Sequence, residues 1–466
     1  MASLAGMLHE RGHALTGSDQ DVYPPMSTQL AALGVPLRSP YAEANVPEDA
    51  DLVVIGNALS RGNPEVEVVL DRKQRMSSLP ALLAEEFLRG RTSLVVAGTH
   101  GKTTTASMLA FILHASGQDP SFLVGGVPLD FGRSYRLGAG PHFVVEGDEY
   151  DSAFFDKRPK FVHYLPDVAV IGNVEYDHAD IYPDLRAVQT AFTRLIALIP
   201  RRGLLLAGAE SPALRELVGV AHCRVETFAL EREADWRAED VRPGSEAWSF
   251  RLVRAGRDLG EFQIRLPGEH NVRNAIAALA TASAAGVTPE AARPALAAFR
   301  GVKRRFELRG RARGVCVYDD FAHHPTAVRE TLRAVRAAEL PGAGRLIAVF
   351  EPRSYTSRTR VFQDDFARAL READRVIVAA AHLPGKVPPE ERLSEAALVG
   401  LVASLGGDAQ FIRTVEDIVD ALAGDLREGD RVVVLSNGGF GGIHDKLLHA
   451  LGSLGAASGS APRDVI

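Results

Sequence analysis

Only two cysteines, Cys223 and Cys316, occur among 466 residues, far apart and in no metal-ligand spacing. That scarcity excludes a disulfide framework and fits a reducing cytoplasm, where the chain is expected to reside. Positive charge is not in excess either. The formal net charge of -6 argues against a nucleic-acid partner, though it leaves room for local basic pockets that hold phosphates. No apolar run approaches the ~20 residues of a membrane span, so no membrane partner is expected. The mildly apolar stretch 2–8 has no basic residues before it and meets His9-Glu10-Arg11 at once, unlike a signal peptide. Internal repeats are absent.

What is present is a soluble globular composition, 46% hydrophobic and 24% charged, in a chain long enough for about three domains. Short continuous apolar runs recur, at 52–55, 94–97, 143–145, 168–171, 204–206, 316–318, 346–350, 376–379 and 432–435. Such runs suit parallel strands buried on both faces. Helical patterns lie between them, at 106–115, 187–198, 274–285 and 364–373, and this alternation predicts α/β layers. Residues 248–266 alternate apolar and polar around Gly256 and Gly260 and predict an antiparallel patch. The predicted units are residues 1–89, 90–300 and 301–452, with a disordered Gly/Ala/Ser-rich tail over 453–466.

The beginning reads as a helix (3–11), a short strand (13–16) and an acidic strand end at Ser18-Asp19. In a nucleotide-binding βαβ unit these would be the helix, the second strand and the ribose-contacting acid. The expectation is that a first strand and its glycine turn precede Met1.

Val95-Val96-Ala97-Gly98-Thr99-His100-Gly101-Lys102-Thr103-Thr104-Thr105 reads as strand, glycine turn and helix start. Inward-turned N–H groups and a helix N-terminus suit a phosphate. Lys102 can neutralise β/γ-phosphate charge, and the Thr103 hydroxyl can ligate Mg²⁺. Val96 stands where the commoner loop has glycine, so the tighter Gly-x-x-Gly-Lys-Thr form is expected.

Four acids follow in six residues, Glu146-Gly147-Asp148-Glu149-Tyr150-Asp151. Crowded at a strand's C-terminal end, they would repel one another without a cation. One or two suffice for Mg²⁺, and Glu146, read as first past the strand, is favoured. The next strand runs into Gly172-Asn173-Val174-Glu175-Tyr176-Asp177-His178, where His178 is a second metal ligand or orients one. Asn271 and Asn274 share a helical face and can meet an adenine edge, although capping by His270-Asn271 explains them equally. Lys303-Arg304-Arg305-Phe306 is either a reach towards the γ-phosphate or a solvated basic linker. In Asp319-Asp320-Phe321-Ala322-His323-His324-Pro325, an Asp suits ATP ribose or a phosphate-side lysine. The two histidines there suit the reacting centre or a helix cap.

In this order, the segments 98–105, 146–151, 173–178, 270–274, 303–306 and 319–325 resemble the motif set of the Mur ligases, over nearly the whole chain. The resemblance implies a three-domain fold. A truncated Rossmann-like N-terminal domain binds the UDP-substrate, a central P-loop ATPase-like domain binds ATP, and a Rossmann-like C-terminal domain completes the site. It implies ATP and Mg²⁺ as cofactors and amide-bond formation through an acyl-phosphate. Asp148-Glu149 and the His-His-Pro segment are similar to the branch acting on UDP-N-acetylmuramate. Segments 154–158, 351–360 and 435–444 are similar to the ligase that adds the murein tripeptide L-Ala-γ-D-Glu-meso-diaminopimelate in peptidoglycan recycling. The alternative is the L-alanine-adding ligase of peptidoglycan synthesis. A rival of another class is a regulatory ATP hydrolase that performs no ligation.

Carried over by position, the resemblance implies that Gly98, Thr99, His100, Gly101, Lys102, Thr103 and Thr104 hold phosphates. Asn271, Asn274, Arg305 and Asp320 complete the ATP site. Thr103, Glu146 and His178 bind metal, and Lys102, Glu146, His178, Arg305 and His323 are catalytic. Substrate contacts fall to Ser18, Asp19, Asn57, His324, Arg353 and Asn437. Many Mur ligases also support a second Mg²⁺ with a carbamylated lysine in the central domain. Here no lysine lies between Lys160 and Lys303, so that device is absent.

Overall fold

The computed structural model describes residues 1–20, 26–338, 344–383, 385 and 387–458. The chain opens with a helix, Ala2–Glu10, followed by two parallel strand pairs. One is β1 (Gly17–Ser18) with β2 (Leu37–Arg38), and the other is β3 (Val53–Ile55) with β4 (Met76–Ser78). Among the described residues no strand joins the two pairs. The strand expected at 13–16 forms instead at Gly17–Ser18. Residues 11–13 are still ending the helix, with Gly12 at φ +88° and the His13 N–H donating back to the Leu8 carbonyl at 3.1 Å. A partner strand first becomes available at Gly17, opposite Leu37.

The central unit holds β5 (Thr92–Ala97), β6 (Ser121–Leu123), β7 (Tyr135–Arg136), β8 (His142–Gly147) and a hairpin of β9 (Asp151–Ala153) and β10 (Asp156–Pro159). It continues through β11 (Val168–Ile171), β12 (Leu204–Gly208), β13 (Arg224–Ala229), β14 (Trp236–Arg242), β15 (Trp248–Arg254) and β16 (Arg257–Ile264). Except for that hairpin, these strands form one ten-stranded sheet in the order β16-β15-β14-β13-β12-β11-β5-β8-β6-β7. It is parallel from β14 to β6, and β14 to β16 form the expected antiparallel wing.

The apolar runs explain the burial on both faces. Leu94 and Val96 of β5 enter one core with Leu109 and Ile276, from the helices Lys102–Ala115 and Glu269–Ala284. Their neighbours Val95 and Ala97 enter the opposite core with Phe192 of the helix Leu185–Ala197, and with Leu4 and Met7 of the first helix. Each fully buried side chain of this size contributes roughly 1.5–3 kcal/mol.

The last unit is a six-stranded sheet of β17 (Glu307–Ala312), β18 (Val315–Asp320), β19 (Leu346–Phe350), β20 (Arg375–Val378), β21 (Asp408–Phe411) and β22 (Arg431–Leu435). Its order is β17-β18-β22-β19-β20-β21, parallel except at β17. The final helix runs from Ile443 to Ser458, so residues 453–458 are helical rather than a disordered tail. Leu447 and Leu451 anchor this helix in the sheet core. The remainder of the expected tail, 459–466, lies outside the described residues.

In both parallel sheets the C-terminal strand ends carry the functional loops, as open α/β sheets require. Residues 300–303 run along the central unit. Arg300 pairs with Asp130 at 3.0 Å, and the Lys303 N–H donates to the Val127 carbonyl at 3.0 Å.

Candidate active site

β5 delivers the phosphate loop. Gly98 sits at φ +129°, where a Cβ would stand 3.1 Å from the Asn173 backbone, and Gly101 sits at φ +80°, where a Cβ would collide with Asn274 Oδ1. Both positions therefore require glycine. The Thr99 N–H donates to the Asn173 carbonyl at 3.0 Å and the His100 N–H to Asn173 Oδ1 at 2.8 Å, which fixes the loop to the end of β11. Val96 is a buried β5 residue, so this loop turns later than the commoner form.

Lys102 Nζ folds back over the loop. It donates to the Gly98 carbonyl at 2.7 Å and pairs with Glu149 at 2.9 Å. Burial opposes its charge, but Glu149, Asp148 and Glu146 outweigh burial and hold its pKa above the ordinary value. His178 Nε2 lies 3.2 Å from the same Glu149 carboxylate, on a residue held at φ +56°. Burial works against an imidazolium there, yet Glu149 and Asp177 raise its pKa to about 9.

The acid cluster is neutralised by the protein itself, not left waiting for a cation. Asp148 pairs with Lys160 at 2.7 Å, Asp151 with Lys157 at 2.5 Å, and Glu149 with Lys102. Asp148 is held down to about 2, against its burial, by Lys160 and Lys102. Glu146 differs. It is the penultimate residue of β8, paired with Val96, rather than the first residue past the strand. Among the described residues no ion pair reaches it. It accepts from the Thr103 hydroxyl at 2.9 Å and from the Gly125 N–H at 2.7 Å. A hydroxyl and a carboxylate without a direct ion pair, side by side, are the hard oxygen donors that Mg²⁺ takes. Arg305 Nη2 reaches the same hydroxyl from the other side at 3.4 Å.

A cleft between the central and C-terminal units is lined by His100, Gly101, Lys102, Asn173, Asn271, Asn274, Arg305 and Asp320. Asn271 is no cap. Its amide donates back to the Pro267 carbonyl at 2.7 Å and its Oδ1 accepts from Asn274 at 3.3 Å, which turns both carboxamides to the loop side of the helix. Asp320 accepts the Phe306 and Ala322 N–H groups at 2.7 and 2.8 Å, so it organises the hinge. Burial raises its pKa, with Arg305 and those N–H groups opposing.

His323 holds the Phe321 carbonyl at 2.9 Å through Nδ1, and burial pushes its pKa down. His324 caps the helix Pro325–Ala337 and packs, tilted by 38°, against His100, with ring centroids 4.5 Å apart. Arg353 lies against Gly438, where a Cβ would collide with its guanidinium, and 3.6 Å from Glu351. Asn437 stands beside it in the β22 loop, with Oδ1 buried and unpaired. Ser18, Asp19 and Asn57 do not line the cleft. Ser18 donates to Glu65, Asp19 accepts the Tyr41 hydroxyl at 2.9 Å, and Asn57 follows β3.

Sequence reasoning named His324 and the 173–178 segment but missed the hydrogen bonds by which they join the two units. Thr326 donates to Glu175 at 2.7 Å, His324 Nε2 to the Tyr176 carbonyl at 3.1 Å, and Thr356 to Asp177 at 2.9 Å. Three consecutive residues of the β11 loop are thus held by the C-terminal unit. Within the C-terminal unit, Arg304 donates to the Ser436 and Gly438 carbonyls, each at 2.7 Å, and pairs with Asp319 at 3.2 Å. No spacing in the sequence signals such partners.

This fold and site define an α/β phosphate-loop protein that closes a second α/β unit over its nucleotide cleft. The sequence pattern of the Mur ligase family catalytic domain matches residues 1–90, that of the Mur ligase middle domain 96–282, and that of the Mur ligase glutamate ligase domain 304–438. An Escherichia coli (strain K12) relative, UDP-N-acetylmuramate–L-alanyl-γ-D-glutamyl-meso-2,6-diaminoheptandioate ligase, is 43% identical over 97% of this chain and 96% of its own. A UDP-N-acetylmuramate–L-alanine ligase of Solibacter usitatus is 35% identical over 97% and 93%. The crystal structure of a murein peptide ligase from Psychrobacter arcticus is 38% identical with a TM-score of 0.73, over 97% and 96%. The chain belongs to the Mur ligase family.

Proposed function

We propose that the chain is an ATP-dependent ligase that joins UDP-N-acetylmuramate to the ready-made tripeptide L-Ala-γ-D-Glu-meso-diaminopimelate. The observation that carries this reading over the L-alanine ligase is the difference in identity, 43% to the tripeptide ligase against 35% to an alanine ligase, each over 97% of the chain.

The lactyl carboxylate attacks the γ-phosphorus of ATP, ADP leaves, and an acyl-phosphate forms. Two anions must approach, so the protein's work is positioning and charge neutralisation. Lys102 exchanges its loop carbonyls and Glu149 for phosphate oxygens. Arg305, beside Thr103, meets the transferring group from the hinge. Mg²⁺ suits Thr103 and Glu146, whereas His178, held as an imidazolium against Glu149, has no free lone pair for it; when bound, the ion would supply charge neutralisation to the phosphates. The tripeptide's α-amine then attacks the acyl carbon and phosphate departs. His323, whose Nδ1 proton is committed to the Phe321 carbonyl, offers Nε2 as an acceptor for the ammonium proton. Closure of the C-terminal unit over the cleft keeps water from the acyl-phosphate.

Mass spectrometry of products from UDP-N-acetylmuramate, ATP and Mg²⁺ with equal L-alanine and tripeptide tests the reading. The tripeptide adduct should dominate. Dominance of the alanine adduct refutes the tripeptide reading, and ATP turnover without either adduct refutes ligation.

A further inference from the structure

One cluster beside the cleft, of which His100 alone lines it, is separate from the oxygen-donor pair at Thr103 and Glu146. His100 comes from the phosphate loop, Glu175 from the β11 loop and His324 from the entrance of the first C-terminal helix. Their donor atoms all lie within 4.8 Å of one another. His100 Nε2 is 3.4 Å and His324 Nδ1 3.9 Å from Glu175 Oε2.

The tautomer of His324 is set by its surroundings. Nε2 faces the Tyr176 carbonyl at 3.1 Å and therefore carries the proton, so Nδ1 is the acceptor nitrogen; it lies 3.9 Å from Glu175 and takes the Thr326 N–H as the helix cap, a bond that a bound metal would displace. Metal-binding histidines are oriented in this way, by a carbonyl on the far ring nitrogen. That cap bond, from the Thr326 N–H, is 3.3 Å long. The Thr326 hydroxyl, at 2.7 Å, orients the Glu175 carboxylate. His100 Nε2 is buried and makes no directed hydrogen bond, although it points at that carboxylate. Its contact with Glu175, at 3.4 Å, is long, and a cation between the two would satisfy both groups.

We propose that His100, Glu175 and His324 form a binding site for a first-row transition-metal cation of the zinc(II) class, tying the phosphate loop to the C-terminal unit. Two imidazoles and a carboxylate are the donors of a three-ligand zinc site with an open position, and they are poor ligands for Mg²⁺. The other group of this kind among the described residues, Asp148 with Glu149 and His178, is filled by Lys102 and Lys160. The inference stands apart from the ligase reading, because it rests on these donors alone.

The test uses the full chain, stripped with a chelator and free of nucleotide. Zn²⁺ affinity is measured by competition with a chromogenic chelator, with millimolar Mg²⁺ present. One equivalent should bind, and His324→Ala and Glu175→Gln should each weaken it roughly tenfold or more, while Glu146→Gln should not. Thermal melting verifies that each variant is folded. Anomalous scattering at the zinc edge, from zinc-soaked wild-type crystals, should place the ion between His100 and His324, and this locates the site even if a variant fails to fold. Unchanged affinity in both folded variants, or an anomalous peak at His178 instead, overturns the proposal.

Discussion

The two walls of the cleft are built differently. On the central wall, charge meets charge within a short span. Lys102, Glu149 and His178 form one chain of contacts, and Lys160 and Lys157 cover Asp148 and Asp151. On the C-terminal wall the polar groups are held largely by main chain. Arg304 is anchored on the Ser436 and Gly438 carbonyls, His323 on Phe321, and Asp320 on two N–H groups. The central wall is therefore set before a second unit approaches. The C-terminal wall acts only once the contacts to Glu175, Tyr176 and Asp177 bring it across.

The sharpest way to break that comparison is at Lys102. Lys102→Ala removes the only charge on the phosphate loop, and kcat should fall by about 10²–10³-fold or more. Steady-state kinetics with saturating ATP checks it, and near-wild-type turnover would detach the loop from catalysis. Next in size is the contact between the walls. Thr356→Val and Thr326→Val each remove a hydroxyl donor to a carboxylate, a bond worth about 1.5–3 kcal/mol. Ligation should fall roughly tenfold or more in each, while ATP affinity of the central wall, measured by calorimetry, stays within about twofold.

These contacts are also where sequence reasoning ended. The phosphate loop, the acid cluster and the alternation of buried strands were legible because each rests on local spacing, and the α/β fold class followed from them. Glu146 was placed outside its strand because register with β5 is a long-range fact. The pairings of Asp148 with Lys160 and of Asp177 with Thr356 join residues that no period connects. The acids looked unbalanced because their lysines arrive from elsewhere. At the other end, Ala-rich residues after Gly452 resembled a tail because the anchors that hold them helical, Leu447 and Leu451, lie upstream.

A smaller effect is expected at Glu146, the acid without a lysine. Glu146→Gln keeps shape and loses one anionic ligand, so the Mg²⁺ concentration for half-maximal rate should rise roughly tenfold. An unchanged titration would move the ligand role to Glu149. The smallest effect belongs to Asp319 on the C-terminal wall. Burial disfavours its charge, but His444 and Arg304 hold its pKa below the usual carboxylate value. Its stabilisation is thus present above the unfolded pKa of about 3.9 and lost as pH falls through the folded one. Asp319→Asn should cost about 1–3 kcal/mol at pH 7 and flatten the acid limb, as followed by urea unfolding between pH 2 and about 7. An acid limb identical to wild type would assign that slope to other groups.

The acyl-phosphate route is tested most directly by isotope transfer. UDP-N-acetylmuramate labelled with ¹⁸O in both lactyl carboxylate oxygens is ligated to the tripeptide, and the released phosphate is analysed by mass spectrometry. Attack of that carboxylate on the γ-phosphorus predicts one ¹⁸O in the inorganic phosphate and one retained in the amide. Label in AMP, or phosphate free of label, would contradict it.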